Sequence, residues 1–558
     1  MRTTSDERFP APRLAYQMLM QSAAGLAAAA VDEGRGDELI WVATGDDDVE
    51  ALYARTLNRL PSVAFRGVFE PWDLVERLRA RGIVRGYILY RRDDSPGPIN
   101  GRRPGADLSV NVATSLAGLL GGVLVDEELE PEARARGLAL LADARGKTQA
   151  WCFATYRDRF NRRLLCCQDP KKPNVRDLAI ARRAFTLYGD DATTAEALAW
   201  LEPLSPILGW NGGDEFETTR ASTVQGHFQT ATDWCVNLPV LMAGSRRAAP
   251  VKTRPFDPRS IDWDDRRGGV AFVLTDGDNV QWLEGDFFGN AEFWRSPERG
   301  LIPFGWSTCF AHLTQLVPAA VDHAAATQGA ADSFLEWGGG YYYPDLFARD
   351  RPDRWALLAR HARRTGELMA RNGTPIVGFN FADARSADAR KACEVFAAEV
   401  DGLLGILAFQ YAPYEGGAGE VFWVKDRAGV EIPVVTARYS IWAEANDRPR
   451  AGTPAKVARE IRETAEAAPP TDAPRLDWAV VHAWSWFLRA PGPDEEAENT
   501  PQDDARARGA RRGYAPAAWC AERLPDSVRA VAPEELLWRL RERRAPEPTR
   551  RLIREIRP

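Results

Sequence analysis

The chain runs to 558 residues, 45% of them hydrophobic and 27% charged. That is too long for one ordinary core, so two or more globular domains are expected and disordered or fibrous classes are excluded. A net charge of −7 and a pI near 5.6 exclude broad affinity for nucleic acid or an anionic membrane surface and suit a neutral partner.

In chain order, segment 1–13 is polar and carries Asp6 and Glu7. The Ala-rich stretch 22–31 reads as an amphipathic helix rather than a signal segment, and no apolar run reaches the length of a membrane span. Both features favour a cytoplasmic location. The spacing predicts helices over 15–31 and 47–60, strands over 38–43, 84–90 and 108–112, and an apolar stretch around Val123. A helix over 131–143 opens on Pro131, which suits a first helical position, where no backbone N–H is needed. A helical block over 176–201 and a strand over 206–210 follow. This alternation marks an α/β, Rossmann-like layered region over 1–245, divided into two subdomains near 115–150. No GxGxxG follows its first strand, so no dinucleotide cofactor is expected. After Trp210 comes Asn211-Gly212-Gly213-Asp214-Glu215, a loop with two acids that reads first as a solvated turn.

Residues 246–267, rich in Arg, Pro and Asp, form a linker. Eight apolar strands then alternate with helices, at 270–275, 302–306, 334–337, 375–380, 403–410, 433–438, 478–482 and 528–531. The clearest helices are 353–372, 387–399, 454–467 and 533–543, a hairpin insertion covers 421–431, and 492–512 is an extended loop. The pattern predicts a (β/α)₈ TIM-like barrel over 268–545, followed by an Arg-rich tail over 546–558.

Active sites of such barrels form at the carboxyl ends of the strands. Those ends here carry Asp276, Asp278, Asn279, Gln281 and Trp282, then Trp306, then Glu336 and Trp337. Further on come Asn380, Gln410, Tyr411, Glu415, Arg438, His482, Trp484 and Trp486. Cleavage of a glycosidic bond needs one protonated and one ionised carboxyl group. Glu336 or Glu415 is the candidate proton donor, and Asp276 or Asp278 the partner. Asp276-Gly277-Asp278 serves equally well as a turn whose side chains accept backbone N–H bonds. Arg438 suits a bidentate grip on a carboxylate or a buried ion pair, and His482, inside an apolar run, reads as a core residue. The five histidines are scattered, none at i, i+4 spacing, so no metal is expected. The seven cysteines, with Cys166 and Cys167 adjacent, read as mostly buried free thiols.

The most informative run is Gly338-Gly339-Gly340-Tyr341-Tyr342-Tyr343-Pro344, preceded by Glu336-Trp337 and followed by Asp345. Glycines let backbone approach a ligand, and tyrosines offer flat faces for a sugar ring. The same run could instead close the end of a sheet. Its Gly338, Gly340, Tyr341, Tyr343 and Pro344 fall on the fixed letters of a known signature, and the chain thereby resembles the GxGYxYP family, which is similar to glycoside hydrolases. Segments 275–279 and 481–486 resemble it too. The resemblance implies an α/β amino-terminal region, a barrel-like carboxyl-terminal domain, and a hydrolase of oligo- or polysaccharides. The paired aspartates also resemble those of polysaccharide deacetylases, which leaves a metal-dependent carbohydrate esterase as a second class. A non-catalytic carbohydrate-binding protein is the third. A carbohydrate is the expected partner in every case, with no nucleic acid or membrane.

Overall fold

The computed structural model describes residues 13–44, 47–246, 249–410, 418–467, 473–492, 495, 506 and 508–556. The amino-terminal region is built on two small parallel sheets. In the first, β1 (Gly86–Tyr90), β2 (Gly122–Asp126) and β3 (Leu140–Asp143) lie in the order β2-β1-β3. In the second, β4 (Leu165–Cys167), β5 (Phe185–Leu187), β6 (Pro206–Gly209) and β7 (Phe228–Thr230) lie in the order β5-β4-β6-β7. Helix Arg13–Asp32 packs on β2 and on helix Arg176–Ala181. By length and composition it could cross a membrane, yet 78% of its apolar window is buried. It is therefore apolar nearly all round and not amphipathic as expected.

The expected strand at 108–112 is the start of helix Ser109–Leu120, whose first nine residues are all buried. A helix buried on every side loses the 3.6-residue period that would identify it. The helix expected over 131–143 ends at Ala135, two residues before Gly137 with φ 68°, and the chain then enters β3. The helical block over 176–201 is split by β5, and 38–43 carries a single bridge residue, Ala43, and no strand among the described residues. Sequence reasoning also missed helix Pro71–Ala80 and strands β4 and β7.

All eight strands expected in the second half exist, within a mixed α/β architecture centred on one large curled sheet of eleven strands. They are β8 (Gly268–Leu274), β9 (Phe304–Thr308), β10 (Asp332–Trp337), β11 (Ile376–Phe381), β12 (Gly405–Gln410), β13 (Val421–Lys425), β14 (Glu431–Thr436), β15 (Tyr439–Ile441), β16 (Ala451–Gly452), β17 (Leu476–Val481) and β18 (Val528–Ala530). The order is β13-β14-β12-β11-β10-β9-β8-β17-β15-β16, with β18 paired to β8. Every pairing is parallel except the β13–β14 hairpin. Period-two alternation assigns the side chains to two faces. Ala271, Val273, Leu335, Trp337, Leu407, Phe409, Trp478 and Val480 share one cluster with Leu536 and Leu537 of helix Pro533–Arg544. Phe272, Leu274, Phe304, Trp306 and Phe334 belong to another cluster, packed against helices. Beyond Pro533–Arg544 the chain continues as a helix, Pro546–Glu555.

The amino-terminal region docks over the carboxyl ends of these strands. Gln229, in β7, exchanges two backbone hydrogen bonds with Tyr341 (2.9 and 3.1 Å), and the Gln281 amide donates to the Ala231 carbonyl (3.0 Å). The loops carrying 211–215 and 231–234 thereby come to the mouth of the curled sheet.

Candidate active site

After β8 the chain makes a tight turn. Asp276 has φ 63°, a left-handed conformation unusual for a non-glycine residue. A Cβ on Gly277 would lie 2.0 Å from the carbonyl group of Ser307, so only glycine fits there. The Gly277 amide donates to Ser307 Oγ (3.0 Å), and the Asn279 side chain accepts from the Trp282 amide at the start of helix Val280–Glu284. Thr275 donates its hydroxyl to the Asp276 carboxylate. Asp278 is buried, and its carboxyl is held well above the ordinary carboxylate range. Burial is the largest cause, followed by the negative charges of Asp276 and Glu215.

The glycine-tyrosine run follows β10. Its three glycines all take positive φ, and a Cβ on Gly339 would lie 2.3 Å from Thr365 Oγ1. The three tyrosines then part. Tyr341 and Tyr343 join one cluster with Leu346, against Trp210 and Phe216, while Tyr342 packs with Phe347 and His361 on the other side. Tyr341 stacks on Trp210 (5.8 Å between centroids, 15°) and donates its hydroxyl to the Glu215 carboxylate.

Between these turns and the amino-terminal loops lies a cavity of about 310 Å³. Its acids are Asp276, Asp278, Glu215 and Asp233. Its rings are Trp210, Trp337, Tyr341, Phe409, Trp442, His482 and Trp484. Asn100, Asn279, Gln281 and Asn380 supply amide groups. Trp337 Nε1 donates to Asn380 Oδ1 (2.9 Å), and Gln281 Oε1 accepts from the Trp234 amide (2.7 Å). His482 lies flat on Trp442 (3.7 Å, 7°), and its Nδ1 is 2.6 Å from Ser485 Oγ. Burial lowers its pKa to about 4, so the ring is neutral at pH 7.

Other residues singled out in the sequence stand elsewhere. Glu336 is one position before Trp337 on β10, so alternation turns it away from the cavity, where it is fully buried. Its Oε2 accepts from the Ala311 amide (2.9 Å), at the start of helix Phe310–Leu316. Trp306 shares that parity and lies in the core, with Nε1 donating to Asp332 (2.9 Å), and Trp282 is buried against Phe287 and Phe293. Gln410 ends β12 without lining the cavity. Tyr343 is buried beneath Phe216 (5.1 Å). Asp345 accepts from the amides of Ala382 and Asp383 (3.0 and 2.8 Å), fixing the loop after β11. Arg438 forms an ion pair with Asp477 (2.7 Å), and Trp486 is buried under the Arg512 guanidinium (4.7 Å). Tyr411 and Glu415 lie outside the described residues. All seven cysteines are buried and free, and among the described residues no three His, Cys, Asp or Glu side chains are grouped to hold a metal.

Trp442, Phe409, Asn100 and Asp233 were missed by sequence reasoning. Phe409 carries the inward parity of β12, and Trp442 follows β15, so both were within reach of a strict alternation count. Asp233 and Asn100 come from the amino-terminal region, and nothing in their own segments marks them.

The position of Glu336 has a measurable consequence. Burial raises its pKa to about 8, against three nearby amides that lower it. The folded protein therefore holds a proton that the unfolded chain has already lost, and stability falls as pH rises from 4.5 to about 8. Glu336→Gln is expected to flatten that fall by up to about 1.4 kcal/mol per pH unit and to leave turnover unchanged. Urea melts across this pH range, with activity alongside, check it. A large loss of activity without loss of fold would return Glu336 to the chemistry.

Comparison with known proteins shows the family of the chain and a similar fold. Residues 269–490 match the "GxGYxYP putative glycoside hydrolase C-terminal domain", residues 84–160 the "GxGYxYP_N second domain", and residues 162–243 the "GxGYxYP third domain". A crystal structure described as a putative hydrolase from Bacteroides thetaiotaomicron VPI-5482 is similar with a TM-score of 0.72. It is 22% identical, and the match covers 94% of this chain and 91% of that one. At this identity the likeness is one of fold. No curated protein matches.

Proposed function

Because the chain belongs to the GxGYxYP family, we propose that it is a glycoside hydrolase whose proton donor is Asp278. One observation carries the reading. A carboxyl group whose pKa burial raises well above the ordinary carboxylate range lines a cavity that also holds three other acids and a set of aromatic rings. A glycosidase needs a protonated acid beside an ionised one, and rings on which a sugar can stack. In the reaction the Asp278 proton passes to the leaving glycosidic oxygen as its bond to the anomeric carbon breaks. Water supplies the new oxygen, and a second carboxylate takes the water's proton.

The same reading takes the curled sheet as a (β/α)₈ barrel. Its support is the crossing between β14 and β15, where the Ala437 amide donates to Ala408 in the β12 strand and the Arg438 amide donates to Trp478 in β17.

The cavity also restricts the sugar. Its described lining contains four acids and no Lys or Arg. An acidic sugar would meet like charge in a partly buried site, whereas a neutral one would not. Turnover of nitrophenyl glycosides of neutral sugars is therefore expected, with the matching uronides at least about tenfold poorer in kcat/KM. A wild-type protein that cleaves no neutral glycoside in a broad panel, as aryl glycosides or as oligosaccharides, would sink the hydrolase reading.

A further inference from the structure

The donor needs an ionised partner, and four acids line the cavity. Asp276 stands two residues before Asp278 on the same turn and accepts the Thr275 hydroxyl, so it belongs to the same wall of the cavity as the donor. Asp233 is buried in an ion pair with Lys172 and accepts from Asn100 Nδ2 (3.1 Å). Glu215 differs from both. It comes from the amino-terminal region, is solvent-accessible and opens helix Glu215–Val224, where the N-terminal backbone favours a negative charge. Its carboxylate also accepts the Tyr341 hydroxyl.

We propose, on the basis of the hydrolase reading, that Glu215 is the ionised carboxylate working with Asp278, and that the signature tyrosine Tyr341 is its positioning residue. Tyr341, which follows β10, can hold a group on the amino-terminal half because that half in turn holds Tyr341. Its backbone bonds Gln229 in both directions, and its ring lies on Trp210 (5.8 Å). Glu215 takes a proton from water as the water oxygen bonds the anomeric carbon. The anomeric bond to the leaving oxygen breaks, and that oxygen takes the Asp278 proton. The site is therefore complete only when the amino-terminal region is docked, and the signature turn ties the two halves together at the reacting group.

The test uses a neutral nitrophenyl glycoside that the wild type cleaves. Glu215→Gln is expected to lower kcat by roughly 10²-fold or more with KM little changed. Added azide, an external nucleophile standing in for activated water, should restore turnover to Glu215→Ala. Tyr341→Phe keeps the ring and removes the donor, so kcat should fall by about tenfold and the acidic limb of the pH–rate profile should move upward. If Glu215→Gln keeps wild-type kcat while Asp278→Asn loses it, the role of Glu215 is overturned and the hydrolase reading stands. If neither variant loses activity, the reading itself falls. A Tyr341→Phe variant with an unmoved pH profile and only lower thermal stability overturns the positioning role. Without any substrate, NMR titration of labelled aspartate should place Asp278 lower in Glu215→Gln than in wild type. No change there would show that the two carboxyls are not coupled and would overturn the pairing.

Discussion

Asp278→Asn is expected to lower kcat by about 10²–10⁴-fold while substrate binding is largely kept. Asn matches the carboxyl in shape but has no acidic proton to transfer to a leaving oxygen. The surrounding turn should survive, because it is fixed by the Gly277–Ser307 contact and the Asn279 cap and not by the Asp278 charge. Two further readouts separate this from simple damage. The wild-type rate should fall on the alkaline side as Asp278 ionises, at a pH above the ordinary carboxylate range, and that limb should be lost in the variant. The sign for stability is opposite to that for activity. Asp278 binds its proton more tightly folded than unfolded, so the folded state loses stability as pH rises through the raised pKa. Asn does not ionise, and the variant should be more stable than wild type at neutral pH. A variant that is inactive and also less stable at every pH would mean that Asp278 is structural.

Much of the second half was legible because its strands are long, apolar and separated by helices with clear signals. Helix Ala387–Glu399 is capped by Ser386, whose side chain accepts from the Ala389 amide, and it has the bounds the sequence predicts. Helix Arg354–Asn372 ends at Gly373 in the left-handed conformation. The amino-terminal region was harder to read. Its strands have three to five residues, and the helix Ser109–Leu120 is too buried to show a face. In the site, the first turn was legible because Asp276, Gly277 and Asp278 are adjacent in sequence and the backbone there admits only glycine. Glu336 was misplaced for the opposite reason. Its neighbour Trp337 does line the cavity, and a strand end identified without its parity assigns both residues to one face. The second wall of the cavity was not legible at all. It arises from tertiary docking, which brings Asn100, Trp210, Glu215 and Asp233 to turns between about 40 and 240 positions away in the chain.

That wall depends on a buried charge network, and Lys172→Met is expected to disrupt it at about 3–5 kcal/mol. Arg103 grips Asp169 with two bonds (2.7 and 2.9 Å) and also reaches Asp93 (3.1 Å). Asp169 accepts from the Asn100 amide (2.7 Å), and Asn100 donates its side chain to Asp233 (3.1 Å). Lys172 completes the chain by pairing with Asp233, while its ammonium sits 3.8 Å from the centre of the Trp234 ring. Lys172 has no solvent exposure, and burial is the largest influence on its pKa, which it lowers; Asp233 acts the other way. Met fills a similar volume but leaves Asp233 as a buried, uncompensated charge beside three other acids of the cavity. The destabilisation should therefore come from the orphaned carboxylate and not from lost packing. Lys172→Met combined with Asp233→Asn removes both charges and should recover most of the stability, so the double variant should lose far less than the sum of the two single losses in a double-mutant cycle. Urea denaturation of the two single variants and the double variant measures it. Additive losses would mean that Lys172 acts by packing alone, and the cavity wall would then stand without its charge network.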